Sequence, residues 1–193
     1  KIYTDYTLFT AHQGILKDMS KVFGFFETNY KINKYKHLIV SPHYTKSTFM
    51  KLIDKEIAFA KAGKEAYIKI KMNSLTSYKM VDKLYEASRA GVKVQMIVRG
   101  ICCLIPGVEG MSENIEAISV VDKFLEHPRL FIFCNGGDPK VYISSADFID
   151  RACSIIFSPF SILKSLLSKL LKPSNIILSI ASFFECFPFL SKT

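Results

Sequence analysis

Two spacings of hydrophobic and polar positions alternate along the first 150 residues. Helical spacing appears over residues 13–29, where Ile15, Met19, Val22, Phe23 and Phe26 fall on one face. It returns over 45–62 through Phe49, Leu52, Ile53, Ile57 and Ala60, with Gly63 as the stop, and over 77–90 with Gly91 as the stop. Strand-like runs lie between these helices, at 3–10, 37–40 (ended by Pro42), 66–72, 92–98, 114–120, 129–133 and 141–144. Residues 121–126 read as about one turn of helix, and 136–139 as a turn. The basic, aromatic stretch 31–36 reads as a domain boundary. Strands separated by helices predict an α/β layer architecture, in which ligands gather at the carboxyl ends of strands.

After Arg151 the pattern changes. Residues 152–193 carry only Lys164, Lys169, Lys172, Glu185 and Lys192 as charges. Ile162, Leu163, Leu166, Leu167, Leu170 and Leu171 keep helical spacing, which suits a packing helix or an interfacial one. The apolar run 176–190 is broken by Glu185 and Pro188 and falls short of the roughly 20 residues a spanning helix needs.

Composition narrows the class. With 193 residues, 49% hydrophobic and 22% charged, the chain can build a core, and collagen, coiled coil and wholesale disorder are excluded. A net charge of +9 favours an anionic partner, whether phosphate-rich ligand, nucleic acid or lipid surface. Lysines outnumber arginines 22 to 4, which argues against bidentate base recognition and makes each arginine informative. Five cysteines without metal-ligand spacing fit free thiols in a reducing, cytoplasmic setting. The first residues carry no start Met and no apolar leader, and read as a strand entered midway.

No phosphate-binding glycine loop, HExxH, GxSxG or HxK motif is present, so candidate chemistry rests on residues at strand ends. Arg99 follows the apolar run 95–98 and precedes Gly100. A guanidinium there suits a phosphate, with the glycine opening the backbone to a ligand, and a surface ion pair is the equal alternative. His127 and Arg129 share a face in an extended segment; a histidine can serve as nucleophile, proton carrier or phosphate ligand, though a structural histidine is the commoner outcome. Tyr3 could stack on a base, or simply fill a core. His12, His37 and His43 lack partners at ligand spacing, and Ser144, Ser145 and Asp147 fit a turn or cap as well as a site.

Several ordered blocks sharpen this reading: 3–10 (YTDYTLFT), 71–75 (KMNSL), 84–92 (LYEASRAGV), 97–107 (IVRGICCLIPG), 112–115 (SENI), 124–129 (FLEHPR), 135–137 (NGG) and 141–147 (VYISSAD). Over residues 1–150 the set resembles the carboxy-terminal catalytic region of bacterial polyphosphate kinases, which move the terminal phosphate of ATP reversibly onto inorganic polyphosphate. The resemblance implies an α/β fold of phospholipase-D-like domains, each a mixed sheet flanked by helices. Residues 1–36 would end a first such domain, 37–151 would form an incomplete second, and 152–193 a divergent apolar, serine-rich tail. It implies ATP/ADP and polyphosphate as ligands, and a homo-oligomer in the full enzyme. Tyr3, Arg99 and His127 match ATP-contacting positions, and Arg129 matches the basic residue beside that histidine. Arg99 would balance charge on the transferring phosphate, Tyr3 would position the nucleotide, and His127 would exchange a proton with a phosphate oxygen.

The chain departs from the family in three ways. The phosphorylated histidine and the Mg2+ ligands would lie upstream of Lys1, so the piece alone is expected to be inactive by the histidine route. Cys134 stands where relatives often carry an acidic residue, which could alter how His127 is oriented. After Asp147 the family continues with a basic segment, whereas here Phe148 to Arg151 leads into the apolar tail, as a frameshift, deletion or mispredicted end would produce, with genuine divergence the alternative. The alternative reading is a non-catalytic phospholipase-D-like module that binds anions, or binds membranes through 152–193. Nucleic-acid binding rests on charge alone.

Overall fold

The chain's elements run in the order β1 (Ile2–Thr4), α1 (Gln13–Glu27), β2 (Leu38–Val40), α2 (Thr45–Lys61), β3 (Tyr67–Met72), α3 (Tyr78–Arg89), β4 (Lys93–Val98), β5 (Ile115–Ile118), β6 (Phe124–Glu126), β7 (Arg129–Phe133), β8 (Lys140–Ser144) and β9 (Ile155–Phe157). The computed structural model describes residues 2–28, 33–41, 44–121, 124–145, 147, 148 and 155–157, all within the unit Lys1–Pro159. Apart from the β9 backbone, the expectations for residues 152–193 lie outside the described residues.

Seven strands form one mixed sheet in the order β2-β9-β8-β7-β3-β4-β5, and β1 and β6 pair separately as a two-stranded parallel ribbon. Strands β3, β4 and β5 are parallel, while β7, β8, β9 and β2 continue antiparallel from β3. A parallel step needs a crossover, and α3 supplies it between β3 and β4. The expected α/β class with a mixed sheet and packed helices is what the chain forms.

Alternation along β3 sends Ile68, Ile70 and Met72 into the core and Tyr67, Lys69 and Lys71 to the other face. Helices α2 and α3 cover the core face. Phe49, Leu52, Ile53 and Ile57 of α2 join Met80, Val81, Leu84 and Ala87 of α3 in one cluster with β3, β4 and β7. Phe49 sits at its centre, its ring 4.6 Å from Phe131, 5.1 Å from Phe148 and 6.0 Å from both Phe133 and Tyr142. Fully burying a side chain of this size contributes about 1.5–3 kcal/mol.

Two expectations are corrected. The strand read over 3–10 is confined to Ile2–Thr4, because only that stretch finds a partner. The segment read as a helical turn over 121–126 contains strand β6, since Phe124–Glu126 pairs in parallel with β1. The apolar face of α1 is only partly buried. Ile15 and Val22 are covered together with Asp18, while Phe23 and Phe26 are 63% and 69% exposed.

Candidate functional site

Strand direction decides which residues meet. The carboxyl ends of β3 and β4 lie at one edge of the sheet, where antiparallel β7 begins and β8 ends. Beyond the strands the two chains stay together: Arg99 N–H donates to Met72 O (3.2 Å) and Gly100 N–H to Asn73 O (2.8 Å). A Cβ on Gly100 would lie 2.9 Å from Asn73 O, so the glycine is required by the chain's own close approach and not by a ligand's. Arg99 and Arg129 therefore flank Asn73 from neighbouring strands.

Asp147 organises this edge. Its Oδ1 accepts from the amides of Asn73 (2.8 Å) and Ser74 (3.1 Å) and from Arg129 Nε (3.2 Å), while Oδ2 accepts from Arg129 Nη2 (2.9 Å). Burial pushes the carboxyl up, but the Arg129 guanidinium and the two amides outweigh it and hold the group below the usual carboxylate range. Arg129 is itself buried, and this fork fixes its plane. The Asn73 side chain, placed to accept from Arg129 Nη2 (2.8 Å), donates to Glu126 O (3.2 Å). Glu126 in turn pairs with the buried Lys71.

His127 is held from both sides. Its amide donates to Thr4 O (2.9 Å), continuing the β1–β6 ribbon. Its Nδ1 lies 2.7 Å from Asp5 Oδ2, and its Nε2 lies 2.6 Å from Arg129 Nη1, which also donates to His127 O (2.6 Å). A carboxylate offers only acceptors and a guanidinium only donors. The two contacts together select the neutral tautomer with the proton on Nδ1 and the lone pair on Nε2.

Of the sequence-predicted residues, His127 and Arg129 come into contact, with Arg99 at the adjoining strand end. Arg99 is half-buried, and its Nη1 is buried without a hydrogen-bond partner among the described residues. Such an atom is costly unless an acceptor, water or an anion, meets it. Tyr3 lies opposite Leu125 in the ribbon, two residues before Asp5; its side chain lies outside the described ones. Cys134 does not reach His127. It caps the far end of β7, buried, with its amide on Tyr67 O (3.0 Å) and its thiol toward Glu65 O (3.5 Å). Asp5 and Asn73 are not among the residues the sequence singles out, and Asp147 fits a turn or cap there as well as a site. All three lay within the family-like blocks, but 122 residues separate Asp5 from His127.

The described residues do not offer a magnesium ion a set of ligands of their own. Among the described residues no group of three or more His, Cys, Asp or Glu could hold a metal. The three carboxylates of the site already face nitrogen: Asp5 meets His127, Glu126 meets Lys71 and Asp147 meets Arg129.

Comparison with known proteins shows the family. Residues 38–155 match the family described as polyphosphate kinase C-terminal domain 2. The chain is 54% identical over 151 residues to the polyphosphate kinase of Vibrio parahaemolyticus and 47% identical over 151 residues to that of Escherichia coli. Each alignment covers 78% of this chain and 22% of the relative, so the chain spans about a fifth of the length of these relatives. The crystal structure of polyphosphate kinase from Porphyromonas gingivalis superimposes with a TM-score of 0.74 at 34% identity, covering 82% of this chain and 25% of that one. A matching domain across most of the chain, and the same fold in a solved relative, place this chain in the polyphosphate kinase family.

Proposed function

We propose that this chain is a piece of a polyphosphate kinase carrying part of its phosphate site, and that in the whole enzyme this site serves reversible transfer of the terminal phosphate of ATP to inorganic polyphosphate. The observation that carries the reading is Arg99, whose buried Nη1 lacks a partner among the described residues at the edge where Arg129 and His127 converge. Arg99 balances charge on the phosphate and Arg129 adds to the field. His127 exchanges a proton with a phosphate oxygen, and Tyr3, with its backbone beside the site, positions the nucleotide.

Residues 37–151 are then an incomplete second phospholipase-D-like domain and 1–36 the end of a first. The exposed Leu16, Phe23 and Phe26 of α1, and a ribbon of only two strands among the described residues, support a packing partner for 1–36 beyond the described residues. ATP with Mg2+, polyphosphate, a homo-oligomeric assembly and a cytoplasmic setting belong to the same reading, as does the inactivity of the piece alone by the phosphohistidine route. The membrane alternative rests on 152–193 and has no observation of its own; no helix among the described residues is long and apolar enough to cross a membrane.

Titration of polyphosphate and of ATP–Mg2+ against the chain and its Arg99→Ala and His127→Ala variants, over a salt series, tests the reading. Affinity that falls in both variants supports it. Affinity unchanged in both and lost with salt alone would reduce the site to a generic basic surface.

A further inference from the structure

We propose that the cavity between residues 34–39 and the start of α2 is a second ligand site, one that takes a free nucleotide. It is separate from the phosphate site above and does not rest on that reading. The cavity has a volume of about 420 Å3, and Tyr44, Thr48 and Tyr142 complete its lining. Sites for small aromatic ligands span about 300–1,000 Å3. Strand direction sets it apart from Arg99. Each step from β2 through β9, β8 and β7 to β3 is antiparallel, so β2 runs the same way as β3 and β8. Lys34 and Lys36 precede β2 and therefore lie toward the edge opposite Arg99, with β9, β8, β7 and β3 between β2 and β4.

The lining divides by chemistry. Buried Ile39 and the rings of Tyr35 and Tyr44, 6.1 Å apart, give an apolar and aromatic surface on which a flat ring can pack. Tyr142 is only 6% exposed, its ring set between Phe49 and Phe133, and its hydroxyl has no hydrogen-bond partner among the described residues. Burial pushes that phenol up, so it stays a donor at neutral pH, and a buried donor calls for an acceptor from water or from a ligand. Lys34 and Lys36 bring positive charge to the rim. The acid beside them is already engaged: Asp18 accepts from the amides of Lys36, His37 and Leu38 and pairs with Lys21. Those contacts, and Lys21 Nζ on Lys34 O (2.9 Å), also fix the backbone that carries the two lysines. A bare phosphate would leave the aromatic surface unused, and an uncharged ring would leave the lysines unused. A nucleoside monophosphate meets both, with its base on the tyrosines and its phosphate at the rim.

Equilibrium dialysis of AMP against the full 193-residue chain tests the proposal, with adenosine and inorganic phosphate as separate probes. AMP is expected to bind more tightly than either. Its affinity should fall about tenfold in the Lys34→Ala, Lys36→Ala double variant and about threefold in Tyr142→Phe, which alters no charge and keeps the ring on Phe49 and Phe133. Arg99→Ala should leave AMP binding unchanged. Absence of AMP binding, affinity unchanged in both cavity variants, or phosphate alone binding as tightly as AMP would overturn the proposal. Loss of AMP binding in Arg99→Ala alone would overturn it too, by assigning the nucleotide to the phosphate site. Polyphosphate affinity reads the Arg99 edge and should not follow Tyr142→Phe, so either site can fail without the other.

Discussion

Helices α2 and α3 bury their apolar stripes almost completely, whereas α1 leaves much of its stripe in solvent and is held by a carboxylate. Phe49, Ile53, Leu84 and Ala87 are all within 1% of full burial, while Leu16, Phe23 and Phe26 of α1 are 42% to 69% exposed. Asp18, buried in the middle of α1, accepts from the amides of Lys36 (2.7 Å), His37 (2.6 Å) and Leu38 (3.3 Å) and from Lys21 Nζ (2.9 Å). The fit is close, since a Cβ on Gly14 would stand 2.4 Å from His37 Nε2. Area removed from water thus fixes the β3–α3–β4 half, and directional polar contacts help fix α1. The first kind of tie is insensitive to pH and punishes truncation; the second is indifferent to the exposed apolar side chains and sensitive to protonation.

Phe49→Ala should therefore have the largest effect, about 3–5 kcal/mol of stability lost, read from the urea midpoint. Asp147→Asn leaves buried Arg129 with an uncompensated charge and is expected to cost about 3 kcal/mol, with weakened polyphosphate binding. Asp18→Ala removes the acceptor of three amides and should cost about 1–3 kcal/mol, with faster exchange of the Lys36 and His37 amides as its local mark.

Asp18 and Asp147 share a pH signature. Burial raises each carboxyl, yet Asp18 is held below its ordinary value by the His37 and Lys36 amides and Lys21, and Asp147 by Arg129 and the Asn73 and Ser74 amides. A folded value below the unfolded one near 3.9 gives stability that is present above that pH and lost as pH falls through the folded value. The contribution of these two carboxylates to the unfolding midpoint should be constant from neutral pH down to about 5 and fall below about 4, and Asp147→Asn should flatten the drop. The smallest effect is expected from Phe23→Ser with Phe26→Ser, within about 0.5 kcal/mol in this chain. A loss as large as that of Phe49→Ala would show that α1 is packed after all, and the contrast between the two regions would fail.

The α/β core was legible because its signal is local. Alternation and helical spacing marked β3, α3 and β4 to within a residue or two, and residues 129–133 were read with the bounds that β7 takes. The β1–β6 ribbon was not legible, because a three-residue strand exists only through a partner some 120 residues away. The site divided in the same way. Arg99, His127 and Arg129 stood out as scarce residue types at strand ends. Asp5 and Asp147 gained meaning only when the topology brought them to the same edge, and the spacing that puts α1's phenylalanines on one face does not report what covers that face.

The most direct measurement compares polyphosphate affinity of the chain, Arg99→Ala and, as a charge-matched control, Lys79→Ala on the exposed side of α3, at one moderate salt concentration. Each variant loses one positive charge, so a generic basic surface would weaken equally in both. The account predicts at least a tenfold loss for Arg99→Ala, about 1.4 kcal/mol, and little change for Lys79→Ala. Equal effects in the two variants would contradict it.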